Sequence, residues 1–262
     1  MDKFLIFGLG RSGTTSLISA LNVNQNVVHE PFTSETGDIA ANVVFARILE
    51  ANGYLPQNLP ESAGEYDFNR FHFIALERDR CHSYLEQLYG AFTGIKHVWN
   101  TVSREANINI LSWCFENDIK VIFQTREALG RSVISRHLAE QSRVWFLGSD
   151  LEQKEHVESI RYRRINVNHL RSELKFLEQH LRFYLDYLQD RPFHTITFEA
   201  LYLQDRDHQE EVMQSLCAFL SIPITDLCLA NLENYIYKKA RKQTTDEALK
   251  KVPNFRAFQK YL

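Results

Sequence analysis

The chain has 262 residues, 44% of them hydrophobic and 24% charged, with a formal net charge of −3. That length suits one α/β domain with a sizeable core, and that charge excludes a bulk nucleic-acid coat, so any anion site must be a local cluster of Arg and Lys. Four widely spaced cysteines without a CxxC pair, and no apolar run near the roughly 20 residues of a membrane helix, predict buried reduced thiols and a cytoplasmic protein with no leader or membrane span.

In chain order, Lys3 to Phe7 reads as a buried strand and Thr14 to Leu21 as a helix with Leu17, Ile18 and Leu21 on one face. Val27 and Val28 predict a short second strand, stopped by Pro31. Residues 40–49 have helical spacing, and 53–66 read as a loop bordering a site. Phe71 to Leu76 fits a strand or the start of a helix running towards Phe92. Gly94 to Trp99 predicts a strand, Asn107 to Asn117 a helix, Lys120 to Gln124 a strand and 127–140 a helix. Strands joined by helical crossovers imply parallel pairing, hence a three-layer α/β/α fold with a mostly parallel central sheet of the P-loop nucleotide-binding kind. Leu170, Leu174, Leu177, Leu181, Leu185 and Leu188 mark an amphipathic helix over 169–189, its leucines facing a core rather than a coiled-coil seam. Residues 193–201 then predict a strand and 208–220 a helix, while 238–252 are basic and polar. With no repeat or linker, the reading is a single domain over 1–262.

The segment Gly8-Leu9-Gly10-Arg11-Ser12-Gly13-Thr14-Thr15 has the glycine spacing of a Walker A loop, GxxxxGK[ST]. Glycines let successive amides turn inward, and the following helix adds its free N–H groups and positive dipole end. The lysine that would reach a triphosphate is replaced by Thr14, and the cation has moved to Arg11. No apolar strand ending in Asp offers a Mg²⁺ ligand. Backbone donors, hydroxyls and one displaced cation suit a less highly charged phosphate handled without metal. A second strand–loop–helix repeats the pattern: in KVIFQTREALGRSVISRHLA (120–139), Arg126 ends the strand and Ser135 lies within the helix, with Ser132 a rival hydroxyl. Arg makes a two-pronged charged contact to a phosphate dianion, and Ser adds a neutral donor.

These two motifs resemble the 5′-phosphosulfate loop and the 3′-phosphate site of sulfotransferases that use 3′-phosphoadenylyl sulfate (PAPS). The RExLxxxxxS form is most similar to bacterial carbohydrate sulfotransferases of the trehalose and nodulation-factor type. Gly94-Ile95-Lys96 resembles the family's GFK strand, and TFEALY (197–202) its YEDL segment. Arg241-Lys242-Gln243 with Asn254-Phe255 resembles its C-terminal cofactor-covering loop. The resemblance implies transfer of a sulfuryl group from PAPS to a hydroxyl of a carbohydrate, glycolipid or other small acceptor, releasing 3′,5′-bisphosphoadenosine (PAP), with no metal required. Thr14, Thr15, Ser16 and the amides of Ser12 and Gly13 would hold the 5′-phosphate, and Arg11 would stabilise charge on it as it departs. Arg126 and Ser135 would hold the 3′-phosphate, with Arg241 and Lys242 closing over it. Glu30 is the expected base, in an environment that raises its pKa. His29 stands where Gly is common in the family and is the competing base. A Mg²⁺-dependent P-loop kinase or NTPase and a non-catalytic nucleotide-binding protein stay open as alternatives. Ten histidines and four cysteines show no spacing such as HExxH, so no metal site is expected. Ser12 and Ser135 lack a GxSxG context, Trp99 or Trp145 could stack on adenine or a sugar, and the acceptor pocket would come from 33–70 and 140–165.

Overall fold

A computed structural model describes residues 2–22, 26–33, 43–52, 72–144, 156, 159–237 and 249–262. Among these, β1 (Phe4–Gly8), β2 (Val27–His29), β3 (Gly94–Val98), β4 (Lys120–Thr125) and β5 (Phe193–Thr197) form one sheet in the order β2-β3-β1-β4-β5. Every pairing is parallel, with Phe4 opposite both Gly94 and Lys120. Gly94 has no room for a side chain: a Cβ there would fall 2.3 Å from the Phe4 ring.

The central strands are apolar throughout because helices cover both faces. Leu5 and Phe7 of β1 join Val28, Ile95, Val121 and Phe123 in one core. That core is closed by α2 (Val43–Ala51), α3 (His72–Leu76), α4 (Arg78–Ala91), α5 (Arg104–Glu116), α6 (Leu129–Ser142) and α7 (Val167–Leu188). The short α11 (Phe255–Phe258) adds Phe258 to it. Phe4 and Ile6 face the opposite core with Val27, Ile122 and Ile196, under α1 (Thr14–Leu21), α8 (Phe198–Tyr202), α9 (Arg206–Phe219) and α10 (Asp226–Leu232). The architecture is therefore the expected three-layer α/β/α sandwich. The four cysteines are free and buried. No helix among the described residues is long and apolar enough to cross a membrane.

Of the two readings left open for residues 71–76, the helical one holds over His72–Leu76. Two other local expectations needed adjustment. The strand expected over 193–201 stops at Thr197, whose hydroxyl accepts from the Ala200 amide and so starts α8. In α7 the buried position next to Leu188 belongs to Tyr184, while Leu185 is 41% exposed. Tyr184 wins because its hydroxyl accepts from Asn107 Nδ2 at 2.7 Å, a buried partner leucine would not offer.

The strand order fixes where a ligand can enter. From β1 the chain runs towards β2 at one edge, through α1 on one face. From β4 it runs towards β5 at the other edge, and α6, the helix that follows β4, packs on the opposite face. The helices that follow β1 and β4 therefore lie on opposite faces, and such a switch point, at the carboxyl edge of the sheet, is where α/β folds place ligands.

Candidate functional site: the crevice between the first and fourth strands

The turn after β1 is shaped mostly by its own backbone. Leu9 N continues the ladder to Gln124 O at 3.0 Å, and Gly10 N donates to Asn100 Oδ1 at 2.9 Å. Arg11 (φ 65°) and Gly13 (φ 83°) both adopt left-handed backbone, which bends the chain into the first turn of α1. Gly13 is the N-cap and provides no side-chain cap, so the helix's N-terminal amides face the crevice without an internal acceptor from that position. Thr14 is buried over Gly8, where a Cβ would fall 2.2 Å from its methyl group. Ser12 departs from its expected role. Its hydroxyl and its amide both reach Leu9 O, at 2.6 and 3.2 Å, so Ser12 shapes the turn rather than presenting a donor.

The two motifs touch. Arg126 Nη1 donates to Arg11 O at 3.0 Å, and Arg11 Nε donates to Ser135 Oγ at 3.1 Å. Ser132 Oγ donates to Gly10 O at 2.6 Å, which commits the rival hydroxyl to the first turn. Gln124 Nε2 donates to Ser12 O at 2.7 Å. Burial lowers the pKa of both guanidiniums to about 10; for Arg126, Glu199 works against that and the neighbouring Arg131 and Arg11 add to it. Both remain charged at neutral pH. Arg126 Nε is buried with no hydrogen-bond partner among the described residues, and the Glu199 carboxylate stands 3.8 Å away. Converging guanidiniums with an unsatisfied buried donor suit a phosphate dianion.

Arg11 thus reaches the second motif through its Nε. A further cation beside the first turn is Lys96, which the sequence marked only as part of a strand resemblance. Its side chain is 5% exposed, its Nζ lies 2.5 Å from Glu30 Oε1, and it donates to Thr15 Oγ1 at 2.9 Å. Glu30 follows β2 in left-handed backbone (φ 46°), pinned by Glu30 N to Lys96 O at 2.7 Å and Thr33 N to Glu30 O at 2.8 Å. The expectation of a raised pKa at Glu30 is corrected. Burial pushes it up, but Lys96, His97 and the Thr33 hydroxyl together outweigh burial and hold the carboxyl below its ordinary value. Burial, reinforced by Lys96, lowers the His29 imidazole to about 4 against the pull of Glu30, so it is neutral.

α8 ties the loops together. Tyr202 donates its hydroxyl to Gly13 O at 2.9 Å, and its ring fills the space that a Cβ on Gly13 would need, 2.4 Å away. Glu199 accepts from Glu127 N at 2.9 Å and Ala128 N at 3.4 Å, capping the second loop, while Phe198 lies under the Arg126 guanidinium at 4.2 Å. The sequence signal for this clamp was the TFEALY run at a strand end; nothing in its spacing said which side chain would meet which loop.

No family model matches this chain, and no curated protein matches it. Arg241, Lys242 and Trp145 lie outside the described residues, as does most of the expected acceptor region. Trp99 is not a stacking surface: it is 1% exposed, packed on Tyr184 at 5.3 Å between ring centroids. Asn254 is committed to the backbone of Ile165, by bonds of 3.0 and 2.8 Å.

Proposed function

We propose that this chain is a PAPS-dependent sulfotransferase acting on a hydroxyl of a carbohydrate, glycolipid or other small acceptor. The observation that carries the reading is the direct contact between the two phosphate motifs at the switch point, Arg126 to Arg11 and Arg11 to Ser135. A nucleotide with phosphates at both ends of its ribose needs two anion pockets one small molecule apart. The buried Nε of Arg126, which makes no hydrogen bond among the described residues and has only Glu199 at 3.8 Å, and the Gly13 turn fit such a ligand.

PAPS supplies a sulfuryl group on a phosphate leaving group. Transfer forms a bond from the acceptor oxygen to sulfur, breaks the bond from sulfur to the 5′-phosphate oxygen, and releases one proton. Sulfuryl transfer resembles phosphoryl transfer in that positioning and charge stabilisation dominate. Thr15, Ser16 and the Gly13 turn bind at the first pocket; Arg126, Ser135 and Arg11 bind at the second. Lys96 stands between Thr15 and Glu30 and takes over the charge-stabilising role expected of Arg11. Glu30 accepts the acceptor's proton. It is ionised at neutral pH, and its basicity rises whenever the Lys96 ammonium is drawn from it towards an oxygen at the first pocket. His29 is neutral and less basic than an ordinary imidazole, leaving it the weaker candidate.

The test is transfer of radiolabelled sulfur from PAPS to a panel of sugars and glycolipids by the full chain. Labelling of one acceptor class is expected, and Glu30→Gln should bind PAP normally while turning over roughly 100-fold more slowly. No transfer by the wild-type chain, together with Mg²⁺-dependent hydrolysis of ATP or GTP, would overturn the reading.

A further inference from the structure

α6 and α7 bring together His137, His169 and Glu173, one ligand atom from each lying within 4.8 Å of the others. His137 Nε2 is 3.0 Å from Glu173 Oε2, and His169 Nε2 is 3.2 Å from Glu173 Oε1. His169 and Glu173 stand one helical turn apart on α7, so both face α6. The two N···O separations, made to opposite oxygens of Glu173, are close to the roughly 3.3 Å between ligand atoms of tetrahedral zinc, and the two imidazole nitrogens lie within 4.8 Å of each other. We propose that His137, His169 and Glu173 form a divalent transition-metal site, best suited to Zn²⁺, that pins α6 to α7.

The surroundings have the parts such a site needs. Glu140 Oε2 lies 3.6 Å from His137 Nδ1, longer than a hydrogen bond but on the side where a carboxylate orients a metal-bound imidazole. Arg136 bonds Glu173 through Oε1, the oxygen that also faces His169, while its Nε stands 3.7 Å from Glu140 without a hydrogen bond. His169 is 58% exposed, which gives the ion a way in and leaves a fourth position for water. The proton is the competitor, because the same carboxylates raise His137 to about 9 and metal binding must displace it. The sequence shows no such ligand pattern because His137 meets His169 and Glu173 only where α6 packs on α7. The inference does not rest on the proposed donor site, since none of the three ligands belongs to it, although α6 also carries Ser135.

The test is calorimetric titration of the metal-stripped full chain with Zn²⁺, with Co²⁺ absorption as a second readout. One site per chain is expected, weakened at least about tenfold in His169→Ala and Glu173→Gln and less in Glu140→Gln. Because His169 is largely exposed, His169→Ala should keep the wild-type circular dichroism spectrum, so loss of binding cannot be blamed on unfolding. A tetrahedral Co²⁺ spectrum lost in His169→Ala supports the site. Absence of wild-type binding, or binding unchanged by His169→Ala, would overturn it, the cluster then being an ion-pair network and any bound zinc lying elsewhere.

Discussion

At the scale of single residues, Lys96 is the group on which the crevice turns. It neutralises Glu30, donates to Thr15, and is nearly buried, so its removal takes away the largest effect that opposes burial at the carboxylate. Breaking a buried pair from one side costs about 3–5 kcal/mol, and the partial exposure of Glu30 brings that towards the low end. Lys96→Met is therefore expected to lower stability, raise the Glu30 pKa and abolish turnover. The double variant Lys96→Met/Glu30→Gln should regain much of the stability without activity. Denaturant titration of the four-member cycle checks this; equal stability losses from both single variants with no recovery in the double would contradict it. Lys96 also marks the limit of what was legible. Arg126 and Ser135 were readable because each follows a strand in a repeated strand–loop–helix. Lys96 sits within β3, and its meaning depends on β3 lying beside β1, a pairing the local pattern does not state.

At the scale of elements, α8 acts as a clamp across the first and fourth strands' loops. Tyr202→Phe removes one hydrogen bond to Gly13 O, and should cost about 1 kcal/mol of stability together with a several-fold loss of PAP affinity. Gly13→Ala is more severe, because it forces a side chain into left-handed backbone and against the Tyr202 ring. It should abolish PAP binding, and pairing it with Tyr202→Ala should recover only the part due to the clash. Thermal melting and calorimetry separate these effects; a Gly13→Ala chain that binds PAP like wild type would show that the turn is not the pocket. The elements themselves were largely legible, since the strand runs are apolar on both faces and the α7 leucines recur at helical spacing. The misread places were ones where a side-chain partner decided the outcome: Thr197 capping α8, and Asn107 drawing Tyr184 inward.

At the scale of the whole molecule, buried imidazoles give stability a defined pH dependence. His97 is fully buried; its Nε2 meets Asn107 Oδ1 at 2.7 Å, and since Asn107 Nδ2 donates to Trp99 O and Tyr184, the imidazole is the donor in that pair. Burial lowers its pKa to about 4, against the raising effects of Asn107 and Glu30. A depressed imidazole pKa means that the unfolded chain takes up the proton first as pH falls. Stability is thus complete above about pH 6.5 and is lost progressively towards pH 4, by roughly 3 kcal/mol for His97 alone. His29 acts in the same sense, and Glu30 extends the loss to lower pH as its depressed carboxyl is protonated. Denaturation followed from pH 7 to pH 4.5 should show this decline, with a shallower slope in His97→Gln; an identical slope would place the acid sensitivity elsewhere.

The same sheet that buries His97 brings Arg11 and Arg126, on segments more than a hundred residues apart, into contact, and the proposed function makes them parts of two anion pockets. The most direct measurement of that arrangement is calorimetric binding of PAP against ADP to the wild-type chain and to Arg126→Ala. The account predicts that the wild type prefers PAP, because only PAP places a phosphate at the Arg126 pocket, and that Arg126→Ala binds the two nucleotides alike. Equal affinity for PAP and ADP in the wild type, or a preference that survives Arg126→Ala, would contradict it.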